Sequence, residues 1–139
     1  ETNTQGLIAQ RLENVSQDRP ILRDSYVVSR PEDAVEIASP LRSLIEEHGL
    51  VNAQVATAIA EHLRETKADI GLAVLGSIEE RQGLFAESAG ETHIALSTAE
   101  GTTQRAYKYG GTSELVKSWV SNAALDMVRR SLIKTRSRD

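Results

Sequence analysis

Asp69-Ile70-Gly71-Leu72-Ala73-Val74-Leu75 is a continuous apolar run of strand length, opened by an acid and closed by Gly76. Side chains alternate between the two faces of a strand, so a run without polar alternation marks a strand buried on both sides. Such a strand belongs to the interior of an α/β layer fold. On its N-terminal side the pattern turns helical. Val55, Ala56, Ile59, Ala60 and Leu63 form one apolar face behind Asn52, a residue suited to capping a helix. Further upstream, Leu41 to His48 reads as a helix stopped by Gly49, and a helix runs from Pro31 through Ile37 with Glu32 and Asp33 at its positive end. Pro40 interrupts or restarts the chain between them. Ser25 to Ser29 is a short β-rich run and is predicted to be a strand, and Gln5 to Val15 an amphipathic helix.

Downstream, Gly76 to Gly90 reads as a polar, glycine-containing loop. Thr92 to Thr98 and Thr103 to Tyr109 are predicted as two strands around a Glu100-Gly101 turn. After Gly110-Gly111 a long helix is predicted from Ser113 to about Ile133, with a tail from about residue 134. Its apolar stripe is Leu115, Val116, Trp119, Val120, Ala123, Met127 and Leu132, which places Trp119 and Met127 in the core. Helices alternating with strands, closed by a hairpin and a helix, predict a single α/β domain over residues 1–139. The expected architecture is three layers, α/β/α, around a mixed sheet.

Composition narrows the function. The 139 residues suit one domain, and 40% hydrophobic with 26% charged residues is ordinary for a globular chain. No apolar run approaches the roughly 20 residues a membrane helix needs, so no membrane partner is expected. Twenty acidic against sixteen basic residues leave a net charge of -4, which argues against nucleic acid as a partner. The late cluster Arg129, Arg130, Lys134, Arg136 and Arg138 reads as cations on the negative pole of a helix. With no cysteine, thiolate catalysis and cysteine zinc sites are excluded. His48, His62 and His93 lack ligand spacing, so neither a metal nor a cofactor is expected; His62 is placed on an exposed helix face. The polar N-terminus carries no signal pattern and no initiating Met, which suggests a processed or trimmed chain with the cytoplasm as its default location.

Glu1-Thr2-Asn3-Thr4-Gln5-Gly6, followed by Leu7 to Leu12, resembles the Glu-Ser-Cys-Thr-Gly-Gly motif and helix of the CinA C-terminal domain family. Glu46 to Asn52 is similar to that family's His-Gly-Ala-Val-Ser helix entry. Ala68 to Gly76 is similar to the strand before its Gly-Ile-Ala-Gly-Pro loop, and Gly90 to Leu96 to its Pro-Val-Gly-Thr-Val strand. Tyr109-Gly110-Gly111 and Ala123 to Asp126 complete a likeness over essentially the whole chain. The resemblance implies a nicotinamide mononucleotide amidohydrolase fold, with a serine nucleophile in a Gly-Ser-Ser turn assisted by a Tyr and a Lys. A serine hydroxyl needs such a base near neutral pH. In this chain the nucleophile position falls on Arg19, the Tyr position on Ser29 and the Lys position on Ala34. None can perform the transferred role. Glu79 and Glu80 stand in the former Gly-Ile-Ala-Gly-Pro loop, where carboxylates repel a phosphate.

The resemblance therefore implies a non-catalytic domain kept for binding or assembly. Thr2, Thr4, Gly6, Arg19, Gly76 and Ser77 are the ligand-binding candidates, for a nucleotide or other small anion that Arg19 can clamp. A homo-oligomer or a partner protein is expected. The alternatives are an amide hydrolase of altered chemistry or an active nicotinamide-nucleotide amidase. An altered site draws its nucleophile from Thr4, Ser16, Ser25 or Ser29, and its base from Asp18, Asp24 or Glu79. In the family a helix and a first strand precede the Glu-Ser-Cys-Thr-Gly-Gly motif. Glu1 already stands at the motif, which leads to the expectation that a strand slot in the central sheet is filled by a separate peptide, a partner protein's strand or a symmetry mate, or else that the sheet closes up.

Overall fold

A computed structural model describes residues 1–78 and 90–138. Its helices are α1 (Leu7–Val15), α2 (Pro31–Ile37), α3 (Arg42–His48), α4 (Ala53–Thr66) and α5 (Glu114–Arg138), with a 3-10 turn at Ser39–Leu41. Its strands are β1 (Gly71–Gly76), β2 (Thr92–Thr98) and β3 (Gly101–Tyr107), in the order β1-β2-β3. The α/β class and the three layers are as the sequence implied.

Strand β1 is buried on both faces. Ala73 and Leu75 meet one cluster with Val28, Val35, Ile45, Val55, Ala56, Ile59 and Ala60. Val74 points the other way, toward Ile8, Ile94, Val116, Val120 and Ala124. Thus α2, α3 and α4 cover one face of the sheet, and α1 and α5 the other. The cap at Asn52 forms as expected: its Oδ1 accepts from the Gln54 and Val55 amides at 2.8 and 3.1 Å. Among the described residues no helix is long and apolar enough to cross a membrane.

Several boundaries differ from the sequence reading. The three strands pair antiparallel throughout. Parallel-type bonding in the expected mixed sheet enters only at Glu1 and Thr2. The Glu1 amine donates to Tyr26 O (2.9 Å), Val28 N donates to Glu1 O (2.8 Å), and Thr2 N donates to Val74 O (2.9 Å). Among the described residues the Ser25–Ser29 run is not a strand; it bonds to Glu1 through the Tyr26 carbonyl and the Val28 amide. Helix α1 starts at Leu7 rather than Gln5, since Gln5 (φ 52) and Gly6 (φ 93) are left-handed. In the hairpin, Thr98 pairs with Gly101, so the turn is Ala99-Glu100 and β3 starts two residues early. Helix α5 runs on to Arg138 where a tail was expected. No Gly or Pro lies between Ser113 and Arg138 to stop it. Asp126 also pairs with Arg129 (2.8 Å) and Arg130 (2.7 Å) along its surface.

The stripe on α5 is narrower than predicted. Val116, Val120 and Ala124, at spacing four, are buried, while Trp119 is 43% exposed and Leu115 44%. One sheet face can cover one helix face, so Trp119 lies on the rim, edge-on to Tyr109 at 5.7 Å between ring centroids. Met127 is half-buried against the core as expected. His62, expected on an exposed face, is half-buried on α4.

The entry to α2 carries a pH dependence. The Ser29 and Arg30 amides donate to Asp33 Oδ2 at 3.1 and 3.0 Å, and the Arg30 guanidinium to Oδ1 at 3.2 Å. The backbone N–H groups of Ser29 and then Arg30 hold this carboxyl below its usual range. A depressed folded pKa means stability present above the unfolded pKa and lost as pH falls through the folded one. Melting temperature measured against pH should therefore fall less steeply below the ordinary carboxylate range for Asp33→Asn than for the parent. Parallel curves would show that this contact contributes nothing to acid sensitivity.

Candidate functional site

Residues 1–6 cross the C-terminal end of β1, and the side chains of Thr2, Asn3 and Thr4 turn inward. Thr2 is 2% exposed; its Oγ1 donates to Gly76 O (2.8 Å) and accepts from Gly76 N (2.6 Å), replacing a main-chain partner. Asn3 is fully buried, and its Nδ2 donates to Thr92 Oγ1 (3.1 Å), which donates to Tyr109 O (2.8 Å). Gly76 is required here, since a Cβ would lie 2.4 Å from the Asn3 amide. Thr4, 1% exposed, donates to Glu1 Oε1 at 2.5 Å. The same carboxylate accepts from the Ile8 (3.0 Å) and Ala9 (3.1 Å) amides, an acid placed on the positive end of α1.

Ser77 follows at the rim. Its amide donates to Glu91 O (3.0 Å), its carbonyl accepts from Gly111 N (2.6 Å), and its hydroxyl accepts from Glu91 N (3.3 Å). A Cβ at Gly110 would meet the Ser77 Cβ at 2.9 Å, so the Gly110-Gly111 break lets two loops close against each other. Beside them, His93 Nε2 lies 3.1 Å from Glu91 Oε2. Among the described residues, His93 Nδ1 and Asn3 Oδ1 are buried without a hydrogen-bond partner. The sequence reading passed over Asn3, Glu91 and His93 as site residues. Their spacing carried no signal, because the hairpin register and the crossing of residues 1–6 bring them to one end of the sheet.

Of the expected ligand-binding residues, Thr2, Thr4, Gly6, Gly76 and Ser77 gather at this end. Arg19 does not: it is exposed in the turn after α1, and its guanidinium has no hydrogen-bond or ion-pair partner among the described residues. Ser29 is exposed with its amide held by Asp33, and Ala34 is 2% exposed in the core. The alternative nucleophiles and bases are scattered as well. Ser16 Oγ donates to Leu12 O (2.6 Å), Asp24 pairs with Lys67 (3.8 Å), and Ser25 and Asp18 are exposed. Glu79 and Glu80, with most of the Gly76–Gly90 loop, lie outside the described residues. Among the described residues no three His, Asp or Glu gather as a metal site.

This arrangement binds backbone to backbone more than it exposes reactive groups. The hydroxyls of Thr2 and Thr4 are buried and already bonded, and among the described residues neither is hydrogen-bonded to a lysine or histidine that could act as base. Ser77 is half-buried at the rim, with its hydroxyl on the Glu91 backbone.

The CinA C-terminal domain family model matches residues 1–132. A CinA-like protein of Koribacter versatilis is 37% identical over 134 residues, covering 96% of this chain and 32% of that protein. A CinA-like protein of Geotalea daltonii is 31% identical over 134 residues, with the same coverage. The chain thus spans about a third of the length of these curated relatives. The competence/damage inducible protein CihA of Agrobacterium tumefaciens superposes with a TM-score of 0.76 at 22% identity, over 93% of this chain and 80% of that one. A CinA superfamily protein of Klebsiella pneumoniae gives 0.76 at 19% identity, over 96% and 84%. At that identity the two structures establish the shared fold alone. By the family match over nearly its whole length, this chain belongs to the CinA C-terminal domain family.

Proposed function

We propose that this is a CinA-like domain without amidohydrolase activity, kept for binding a small anionic ligand or for assembly. The observation that carries the reading is the state of the three inherited positions. Arg19 is an exposed cation, Ser29 is exposed and held through its amide, and Ala34 is packed in the core. No nucleophile–base pair reaches solvent from them. The end of β1 supports a binding role through Ser77, Gly76 and the loops at Gly90 and Gly110.

Purified protein should release no ammonia from nicotinamide mononucleotide above background. Turnover that survives repurification and is abolished by Ser77→Ala would overturn the reading. It would favour an amide hydrolase of altered chemistry. Thermal shift with nicotinamide mononucleotide, its acid product and ADP-ribose tests the binding role, since a ligand that binds only the folded state raises the melting temperature. If none does so even at millimolar concentration, assembly alone stands.

A further inference from the structure

The last ten residues of α5 leave the body of the domain. Every buried residue of that helix lies at or before Ala124, and at 1.5 Å per residue the stretch after Val128 reaches about 15 Å. Arg129, Leu132, Ile133 and Arg136 recur at helical spacing and share one face. Leu132 is 51% exposed and Ile133 49%. This is an apolar pair between two cations.

Its complement lies elsewhere on the same chain. A groove of about 350 Å³ between α2 and α3 is lined by Pro31, Val35 and Ser39, with Glu32, Glu36 and Glu46 around them. Among the described residues Arg42 is the one cation of the lining, and it pairs with Glu46 at 3.6 Å. Among the described residues Glu32 and Glu36 have no ion-pair partner, so the groove presents an apolar floor between free carboxylates. A chain cannot fill its own groove: α5 packs on the Val74 face of the sheet, and α2 and α3 belong to the Ala73 face.

We infer that the end of α5 docks into the α2–α3 groove of a second copy, seating Leu132 and Ile133 over Pro31 and Val35, with Arg129 and Arg136 against Glu32 and Glu36. The two surfaces differ, so the contact is head-to-tail and propagates into a closed ring or a reciprocal pair. The inference deepens the assembly role proposed above and rests on it. Its test reads association rather than turnover or ligand binding, so either can fail alone.

Sedimentation velocity from micromolar to millimolar protein should show reversible self-association that weakens with added salt. Arg136→Glu and Glu36→Arg each lie on exposed helix surface, and each alone should weaken association about tenfold, while an equal mixture of the two variants should recover it. Because the chain has no cysteine, mixing Ser39→Cys chains with mass-tagged Ile133→Cys chains should give a mixed disulfide under mild oxidation. A chain that stays monomeric throughout, or associates unchanged by both reversals, or forms no mixed disulfide, would overturn the inference.

Discussion

Gly71→Ala is expected to destabilise the domain by about 3 kcal/mol or more, enough to unfold a large fraction of a marginally stable protein. A Cβ at that position would sit 1.9 Å from Ala60 O, 2.9 Å from Ala60 C and 3.0 Å from Arg64 N. All three are backbone atoms of α4, so no rotamer change relieves the overlap. The helix itself must lift away, and with it Val55, Ala56, Ile59 and Ala60, which are at most 9% exposed. Gly101→Ala is the control. Nothing lies within 4 Å of its Cβ, but its φ of 128° is unfavourable for alanine, so a cost of about 1 kcal/mol is expected. Urea unfolding of both variants checks the contrast. Equal midpoints for the two would show that α4 does not lie as close to β1 as described.

Thr2→Val should cost about 2–4 kcal/mol, although it changes neither shape nor volume appreciably. The hydroxyl is the partner of both Gly76 N and Gly76 O, and a methyl leaves two buried backbone groups unsatisfied at about 1–3 kcal/mol each. Thr2→Ser keeps the hydroxyl and should retain most of the stability. Amide exchange at Gly76 gives a local readout: protection should drop in the valine variant and persist in the serine one. If valine and serine lie within about 0.5 kcal/mol of each other, the hydroxyl is not what anchors residues 1–6 to β1.

The second prediction concerns the place where the chain's polar motif meets its most apolar strand. A serine or threonine hydroxyl ahead of a glycine-rich turn is easily taken for a reactive group in a sequence. In the folded protein the Thr2 and Thr4 hydroxyls are bonded and out of reach of solvent. That removes them as nucleophiles and makes them fasteners. Ser77, at the open end of β1, keeps a hydroxyl near solvent, and for that reason it serves as the variant that would report any surviving turnover.

Periodicity alone was enough for the elements whose partners are local. The apolar run ending at Leu75 had to be a strand covered on both faces, and the face from Val55 to Leu63 had to be a helix packed on it, because spacing dictates which side chains share a surface. Asn52, Pro31 and Gly49 marked boundaries for equally local reasons: a cap, a fixed φ and a left-handed turn. Other features were decided only in three dimensions. The Ser25–Ser29 run has strand propensity, but a strand is made by its neighbour, and among the described residues it is Glu1 that bonds to it. Trp119 fits an apolar stripe, yet one sheet face could cover only Val116, Val120 and Ala124. Arg19, Thr2 and Ser77 looked like members of one site on the strength of family position. The fold gathers Thr2 and Ser77 at the end of β1 and leaves Arg19 in a solvent-exposed turn, because burial is settled by what packs across from a residue, and a linear pattern does not contain that information.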